Sequence, residues 1–483
     1  MLGGPGGDVR GVRAADRHRR RPPDRTGQAG GGDRRLPDAG QHHPRRAGQP
    51  SPDPGREGNR TGPRPLGRDH AALVRLLAVY RGLPWPIGEG YHLRVLHLFR
   101  RLARRHQVHL LALVHEEAQR AKLPALADQG IFASIRLEEL PRRRWLARAG
   151  TNFGLPAARS LLREFGGAAG RLGRLAADLR RDLGLDAGYV FDPWADVLWH
   201  EGGRELPTLL DVCDCRTLYY DRLLAAPDLG LGQRLRTLQL RRRFRALERF
   251  ALRAYPVATA VSPQDREALL RLAPEARVEV VPNGVDLAMF SPDPAVAEDP
   301  LELLTFGNMD FQPNVDSAVR FARRILPLVR RRFPGVRFTV AGSNPAPAVQ
   351  ALAELDGVEV TGTVPELRPF INRAAMLVAP MRLGAGIKNK VLETLACGRP
   401  VVTSPAVAEA LHPEAAAVLR LAENDEDFAA EVCRLLADPD ERRRLGRRGR
   451  EAMRRHHSWD AAATAYEALF AELAAGGATA PSA

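Results

Sequence analysis

Hydrophobic positions along this 483-residue chain form short buried-type runs that alternate with segments of helical spacing. The first run, at residues 73–80, precedes a Pro/Gly loop (82–90) and helical apolar spacing over 91–105. Strands that alternate with helices predict a parallel, doubly wound α/β sheet. Further strands are expected at 108–114, 187–191, 208–211, 257–262 and 278–281, with helices starting at 116, over 233–254 and at 263.

The alternation breaks at Pro282-Asn283-Gly284 and a proline-bearing loop, and then starts again. Six strands are predicted at 303–307, 336–342, 358–362, 376–380, 400–404 and 417–421. The predicted helices lie at about 314–332, 346–355, 366–373, 389–398, 424–437, 439–456 and 459–475. Two Rossmann-like halves would face a cleft, and ligands of open α/β sheets bind at the carboxyl ends of the strands.

Residues 1–70 differ in composition from the rest of the chain. They hold 25 Gly plus Pro, 15 Arg, no Lys and 8 Asp plus Glu, without hydrophobic periodicity. Such a segment cannot bury enough apolar surface to fold, so we predict a disordered extension, with a basic tail or an upstream stretch from a wrong start site as alternatives. The predicted organisation is extension 1–70, first domain 71–284, linker 285–300, second domain 301–457, and a final helix and tail 458–483.

The net charge of +15 raises the question of nucleic-acid binding. Nearly all the basic residues are arginines, only three lysines occur, and no known nucleic-acid module is present, so we expect no nucleic-acid partner. No apolar run is long enough to span a bilayer and no signal pattern starts the chain, so we expect a cytoplasmic protein with reduced thiols. The Cys213-x-Cys215 pair alone is weak evidence for a metal. The arginine-rich stretch 233–254 is either a solvated helix or a helix that docks on anionic lipid at the inner face of the cell membrane.

The segment that carries most chemistry is 379–402, APMRLGAGIKNKVLETLACGRPVV. A strand is predicted to end at Pro380, and a loop with Gly384 and Gly386 then leads into a helix. Helix-start N–H groups and glycines favour a phosphate. Lys388 and Lys390, two of the three lysines in the chain, add positive charge there. Glu393, one turn later, either accepts both hydroxyls of a ribose or merely complements the helix dipole.

LETLACGRPVV resembles the signature of the family 4 glycosyltransferases, and the resemblance extends over about 400 residues. VSPQDREALL and VPNGVDLAMF resemble the end of that family's first domain, and FGNMDFQPNVDSAVRF resembles the start of its second. The aromatic-x-Pro-Asn sequence is similar to a branch linked to exosortase and exopolysaccharide clusters. The resemblance implies a GT-B-type α/β fold and metal-independent, retaining transfer of a sugar from a nucleotide diphosphate sugar to a glycan or lipid-linked acceptor, with no cofactor.

The resemblance also implies roles for individual residues. Glu393 would bind the donor ribose, and Lys388 and Lys390 would neutralise the diphosphate. The 362–367 turn, including Val364 and Leu367, would offer backbone groups to the base. The other implied donor-binding residues are Gly88 and Gly90 in the first-domain loop, Gly307 and Met309 in the cleft, and Gly386.

This sequence departs from the family pattern at several positions. Many members carry a second Glu eight residues before the ribose-binding one, where this chain has Ala385. The Arg and Lys that many members have early in the second domain are missing from 308–314, so Arg382 is either a substitute phosphate ligand or a surface arginine. No catalytic base can be named: Asp192, His200 and Asp211 follow strand-like segments but favour a structural interpretation. A non-catalytic scaffold and a nucleotide-sugar epimerase stay open as alternatives.

Overall fold

The computed structural model describes residues 73–85, 90–114, 120–139, 168–193, 205–225, 229–382 and 386–476. The predictions for residues 1–70, Gly88, His200 and Ala385 concern positions outside these ranges, as does the predicted helix start at 116. Within them the chain forms two parallel sheets, one of seven strands and one of six. Each sheet lies among helices, which confirms the predicted doubly wound α/β fold.

The first sheet has the strand order β3-β2-β1-β4-β5-β6-β7. Its strands are β1 (Arg75–Arg81), β2 (Gln107–Val114), β3 (Ser134–Glu139), β4 (Ala187–Phe191), β5 (Thr208–Cys213), β6 (Val257–Ala260) and β7 (Val278–Val280). The accompanying helices are α1 (Gly90–Leu102), α2 (Leu123–Ala127), α3 (Ala168–Leu183), α4 (Arg216–Leu224), α5 (Leu231–Leu252) and α6 (Pro263–Leu272). The central strands are buried on both faces, which explains their continuous apolar runs.

The second sheet has the order β10-β9-β8-β11-β12-β13. Its strands are β8 (Asp299–Phe306), β9 (Arg337–Ala341), β10 (Val358–Gly362), β11 (Ala374–Ala379), β12 (Val401–Thr403) and β13 (Arg420–Leu421). The helices are α7 (Gln312–Arg320), α8 (Leu326–Arg330), α9 (Pro347–Gln350), α10 (Arg368–Arg373), α11 (Asn389–Ala396), α12 (Pro405–Ala408), α13 (Pro413–Ala416), α14 (Asp425–Ala437), α15 (Pro439–His456) and α16 (Trp459–Gly476).

Several elements differ from the sequence prediction, including helices α3, α4, α12 and α13, which were not predicted. The helix expected over 314–332 is two helices, α7 and α8, joined by a π-helical turn at Phe321–Ile325. The strand expected over 417–421 contains only Arg420–Leu421. The edge strand β3 was not predicted, because its residues SIRLEE are mostly half-buried and carry three charges, so they lack the apolar run of a central strand.

The chain crosses from the first sheet to the second and later crosses back, and the two crossing segments lie side by side. Val285 forms a parallel bridge with Ser458, and its N–H donates to the His457 carbonyl at 2.8 Å. A Cβ on Gly284 would overlap the backbone of Ser458 and Trp459, so only glycine fits this close approach. Helix α16 then returns to the first half, where the Tyr466 ring lies 6.1 Å from that of Tyr189 in β4. The last helix is therefore part of the packing of the first sheet.

Candidate functional site

The carboxyl edge of the second sheet collects the residues that the sequence pointed to. Because β8, β9, β10 and β11 are parallel, the segments that follow them emerge at the same edge. Gly307 follows β8, the turn with Val364 and Leu367 follows β10, and Arg382 and Gly386 lie between β11 and α11. The structure thus places these predicted donor-site residues along one side of one sheet.

Backbone strain marks the carboxyl edges of both sheets. Among the residues that the structure describes, three that are not glycine have positive φ angles: Asp192 at 73°, Cys213 at 61° and Asn344 at 52°. Each lies at or just after the carboxyl end of a parallel strand, namely β4, β5 and β9. Such conformations cost energy and cluster at functional sites, so the strain supports a site at these edges.

Lys390 is held in place at the start of α11. Only 8% of the residue is exposed, and its Nζ donates a hydrogen bond to Oδ1 of Asn314 at 2.8 Å. The Nδ2 of Asn314 in turn donates to the Asn308 carbonyl at 2.9 Å. A Cβ on Gly307 would lie 3.6 Å from the Lys390 Nζ, so the ammonium group lies against the backbone that follows β8. Asn314 is a functional candidate that the sequence reasoning missed.

Burial shifts the pKa values of two charged side chains on α11. It lowers the pKa of Lys390 to about 7, with the positive charge of Lys388 adding to the effect and Glu393 opposing it. Burial also raises the pKa of Glu393 to about 7, and Lys390 opposes that change. Lys390 and Glu393 thus place a cationic and an anionic group near the start of one helix, where water solvates both poorly. An anionic ligand that carries hydroxyl groups would replace this water with contacts to the protein.

The backbone before the glycine loop is fixed by three side chains. Thr403 donates to the Ala379 carbonyl at 2.8 Å, buried Arg320 donates to that of Pro380 at 3.1 Å, and Ser404 donates to that of Met381. The loop that carries Arg382 and Gly386 therefore starts from a rigid base. A rigid base is what a binding loop needs in order to keep its geometry.

Asp214, just after β5 of the first sheet, lies against this loop. Gly386 has φ +69°, and a Cβ there would overlap the Asp214 carboxylate. Burial lowers the pKa of Lys388, and the carboxylates of Asp214 and Asp265 oppose that change. Burial raises the pKa of Asp214, and Lys388 and Arg216 oppose it. The two sheets therefore meet where a first-half carboxylate interacts with Lys388.

The remaining predicted donor residues are placed as follows. Met309 is 1% exposed, its side chain packs in the core, and its N–H donates to the Ser343 carbonyl at 2.8 Å. Val364 and Leu367 are half-buried and Arg382 is exposed. Gly90 is the first residue of α1.

Asp211 and the neighbouring Cys215 have structural roles. Asp211 is fully buried and accepts from Arg94, Tyr189 and Tyr466. Cys215 caps α4 by accepting from the Leu218 N–H at 3.4 Å, and burial raises the pKa of its thiol. Cys215 thus serves as the N-cap of α4.

Two other features of the second half lie outside this edge. A cavity of about 260 Å³ lies at the amino ends of β8, β9 and β10, away from the carboxyl edge, and its lining includes Glu302, Arg337 and Arg373. His412, Glu414 and His456 lie within ligand distance of one another. The two imidazole rings stack with a centroid distance of 3.5 Å and an interplanar angle of 9°, so their nitrogen lone pairs run parallel instead of converging on an ion.

None of the helices in the described residues combines the length and the apolar character that a membrane span requires.

Two family models match the chain. Residues 300–438 match glycosyl transferases group 1, and residues 229–289 match Glycosyltransferase Family 4. A D-inositol 3-phosphate glycosyltransferase of Segniliparus rotundus is 34% identical over 230 residues, which cover 42% of this chain and 49% of that protein. The chain thus spans about half the length of this curated relative. These matches support a family 4 glycosyltransferase.

Solved structures share the whole architecture. Sucrose-phosphate synthase from Thermosynechococcus elongatus superimposes with a TM-score of 0.59 at 17% identity, covering 83% of this chain and 100% of that one. HepE of Anabaena in complex with UDP gives a TM-score of 0.57 at 12% identity, with coverages of 83% and 100%. At such identities the likeness shows the fold, and it confirms the GT-B type.

Proposed function

We propose that this chain is a retaining glycosyltransferase that moves a sugar from a nucleotide diphosphate sugar to a glycan or lipid-linked acceptor. The observation that carries the proposal is the start of α11, where Lys388, Lys390 and Glu393 lie together at the carboxyl edge of the second sheet. The family matches over residues 229–289 and 300–438 support the reaction class. The UDP and UDP-glucose complexes of HepE, a protein of the same fold, support the donor class.

Each residue of α11 has a role in this proposal. Lys388 and Lys390 neutralise the diphosphate as it departs, together with the N–H groups of the helix start. Glu393 accepts hydrogen bonds from the ribose hydroxyls. Because two ammonium groups supply the positive charge, the proposed reaction needs no bound metal and no cofactor. Asn314 keeps the Lys390 ammonium at the cleft.

The rest of the donor would lie along the same edge. The turn with Val364 and Leu367 offers backbone groups to the base, and Gly307 and the Met309 backbone border the diphosphate. Gly386 lets the loop approach the donor closely, Arg382 adds charge, and Gly88 and Gly90 are the donor-binding residues that we propose for the first half of the chain. Asp214 of the first half lies against Gly386, and this closeness supports a role beside the sugar or the leaving phosphate.

The acceptor and the setting are a further part of the proposal. We place the reaction in surface polysaccharide or glycolipid assembly, in line with the aromatic-x-Pro-Asn sequence at 311–314. Support for contact with anionic membrane comes from the first two turns of α5, where Leu231 and Leu235 are 77% and 57% exposed beside exposed arginines. Apolar and basic side chains on exposed turns of one helix favour a lipid surface.

A thermal-shift screen of the full chain against UDP, GDP, ADP and CMP tests the proposal. We expect one nucleoside diphosphate to raise the melting temperature, and Glu393→Ala to remove that rise while unliganded melting changes little. Product analysis by NMR with the matching nucleotide sugar should then show the anomeric configuration of the donor retained. Absence of binding by every nucleotide at millimolar concentration would contradict the proposal and favour a scaffold.

A further inference from the structure

Arg94 in α1 is a buried cation that the proposed chemistry does not use. It is 1% exposed and donates three hydrogen bonds: from Nε to Asp211 at 2.8 Å, from Nη1 to Asn283 at 2.9 Å and from Nη2 to Tyr466 at 2.7 Å. The three acceptors come from β5, from the crossover between the sheets and from α16. A planar guanidinium with fixed donors is suited to hold three segments in one geometry.

Asn283, which is 6% exposed, is oriented by these contacts. Arginine only donates, so the Oδ1 of Asn283 faces Arg94 and its Nδ2 faces Asn389, whose Oδ1 is 3.5 Å away. The Asn283 carbonyl lies 3.2 Å from the His457 Nδ1, while the His457 Nε2 accepts from the His412 N–H. Burial lowers the pKa of His457 to about 4, so the ring is neutral and Nδ1 carries its proton.

Asn389 is the first residue of α11 and lies between the two lysines. We infer that Asn283, held by Arg94, is a positioning residue that fixes the start of α11, and with it Lys388 and Lys390, relative to the first sheet. Tyr466 brings the last helix into the same arrangement through Arg94 and Asp211. The consequence for donor binding rests on the proposed function, whereas the fixing of α11 does not.

A double-mutant cycle on the full chain tests this inference, with Asn283→Ala, Asn389→Ala and the double variant. Amide hydrogen exchange of 389–396 is measured without nucleotide, and the dissociation constant of the nucleoside diphosphate is measured separately. Both single variants remove the Asn283–Asn389 hydrogen bond, and Asn283→Ala also removes the one from Arg94. Because the shared bond is lost in each case, we expect each single variant to speed exchange of α11 and to weaken binding by about fivefold. The dissociation constant and the exchange rate of the double variant should exceed those of either single variant by less than about twofold.

Asn372→Ala is the matched control. Asn372 is also buried, at 1% exposure, and also makes several hydrogen bonds, to the Ser291 and Arg368 carbonyls and the Asp293 N–H. Asn372→Ala should lower the melting temperature. It should leave the dissociation constant unchanged, and it should not speed hydrogen exchange of α11 more than that of other elements.

Two results would overturn the inference. The first is an Asn283→Ala variant that behaves like this control. The second is a double variant whose fold-changes in exchange rate and dissociation constant equal the product of those of the two single variants. If the wild type binds no nucleotide, the proposed function fails and the donor-affinity claim fails with it. The exchange data still decide whether Asn283 positions α11.

Discussion

Lys390 shows at the scale of one residue how burial prepares a group for an anion. Its ammonium group donates a hydrogen bond to Asn314. Burial, together with the repulsion from Lys388, lowers its pKa to about 7. A bound diphosphate would supply the negative charge that this position lacks. Binding should therefore raise the pKa of Lys390 and draw a proton from solution.

Proton uptake on binding tests this expectation. Above pH 7 the unliganded Lys390 is mostly neutral, so at pH 8 the wild type should take up close to one more proton per nucleotide than Lys390→Ala. At pH 6 the lysine is already protonated and the difference should vanish. Calorimetric titrations in buffers of different ionisation enthalpy measure the uptake; equal uptake by both proteins at pH 8 would show that Lys390 does not meet the diphosphate.

Sequence reasoning located Lys388, Lys390 and Glu393 because they stand together in one short segment. It could not locate Asn314, which is 76 positions away from Lys390 and becomes its partner only through the fold. Asp214 gives no comparable signal, because nothing in the sequence places it against Gly386. Partners that come from different segments were thus the part of the site that the sequence did not reveal.

The loop and helix between β11 and β12 form the element on which the site depends. Its base is fixed by Thr403, Arg320 and Ser404, and its helix start carries the lysines. Gly386 lies between them with a positive φ and no room for a Cβ. This element combines a rigid base with a close approach to the first half of the molecule.

Gly386→Ala should therefore destabilise more than an alanine at an open glycine. Gly130 is the matched control, because it has φ +62° with nothing within 4 Å of a Cβ. Each substitution loses about 1 kcal/mol of unfolding free energy from the backbone conformation, and Gly386→Ala should lose about 1–3 kcal/mol more from the overlap with Asp214. Denaturant unfolding measures both, and adding Asp214→Ala should restore part of the extra loss. Equal losses at 386 and 130 would argue against the contact.

The sequence predicted elements best where they were buried and long. The central strands of both sheets and the helices α5, α14, α15 and α16 lie within a few residues of their predicted positions. Strand β3 was missed because an exposed edge has no continuous apolar run. The π-helical turn at Phe321–Ile325 could not be read from helical spacing, since one extra residue per turn changes that spacing only locally.

At the scale of the molecule, the described residues form two sheets of parallel strands that meet at their carboxyl edges and are tied by a double crossover. Arg94, Asn283 and Tyr466 connect the crossover and the last helix to the first sheet, and Asn389 carries that connection to α11. The order of alternating strands and helices was enough to predict two such sheets. The tie between them was not predictable, because it joins residues as far apart as 94 and 466.

The central claim is that the start of α11 holds the diphosphate of a nucleotide sugar. Titration calorimetry of the full chain with the nucleoside diphosphate found in the screen tests it most directly, comparing wild type, Lys388→Ala/Lys390→Ala and Lys122→Ala. Lys122 is the remaining lysine of the chain and is exposed. We predict that the double variant binds at least about tenfold more weakly, since two charge-assisted contacts are lost, while Lys122→Ala binds as the wild type does. Equal affinity of all three proteins would contradict the account.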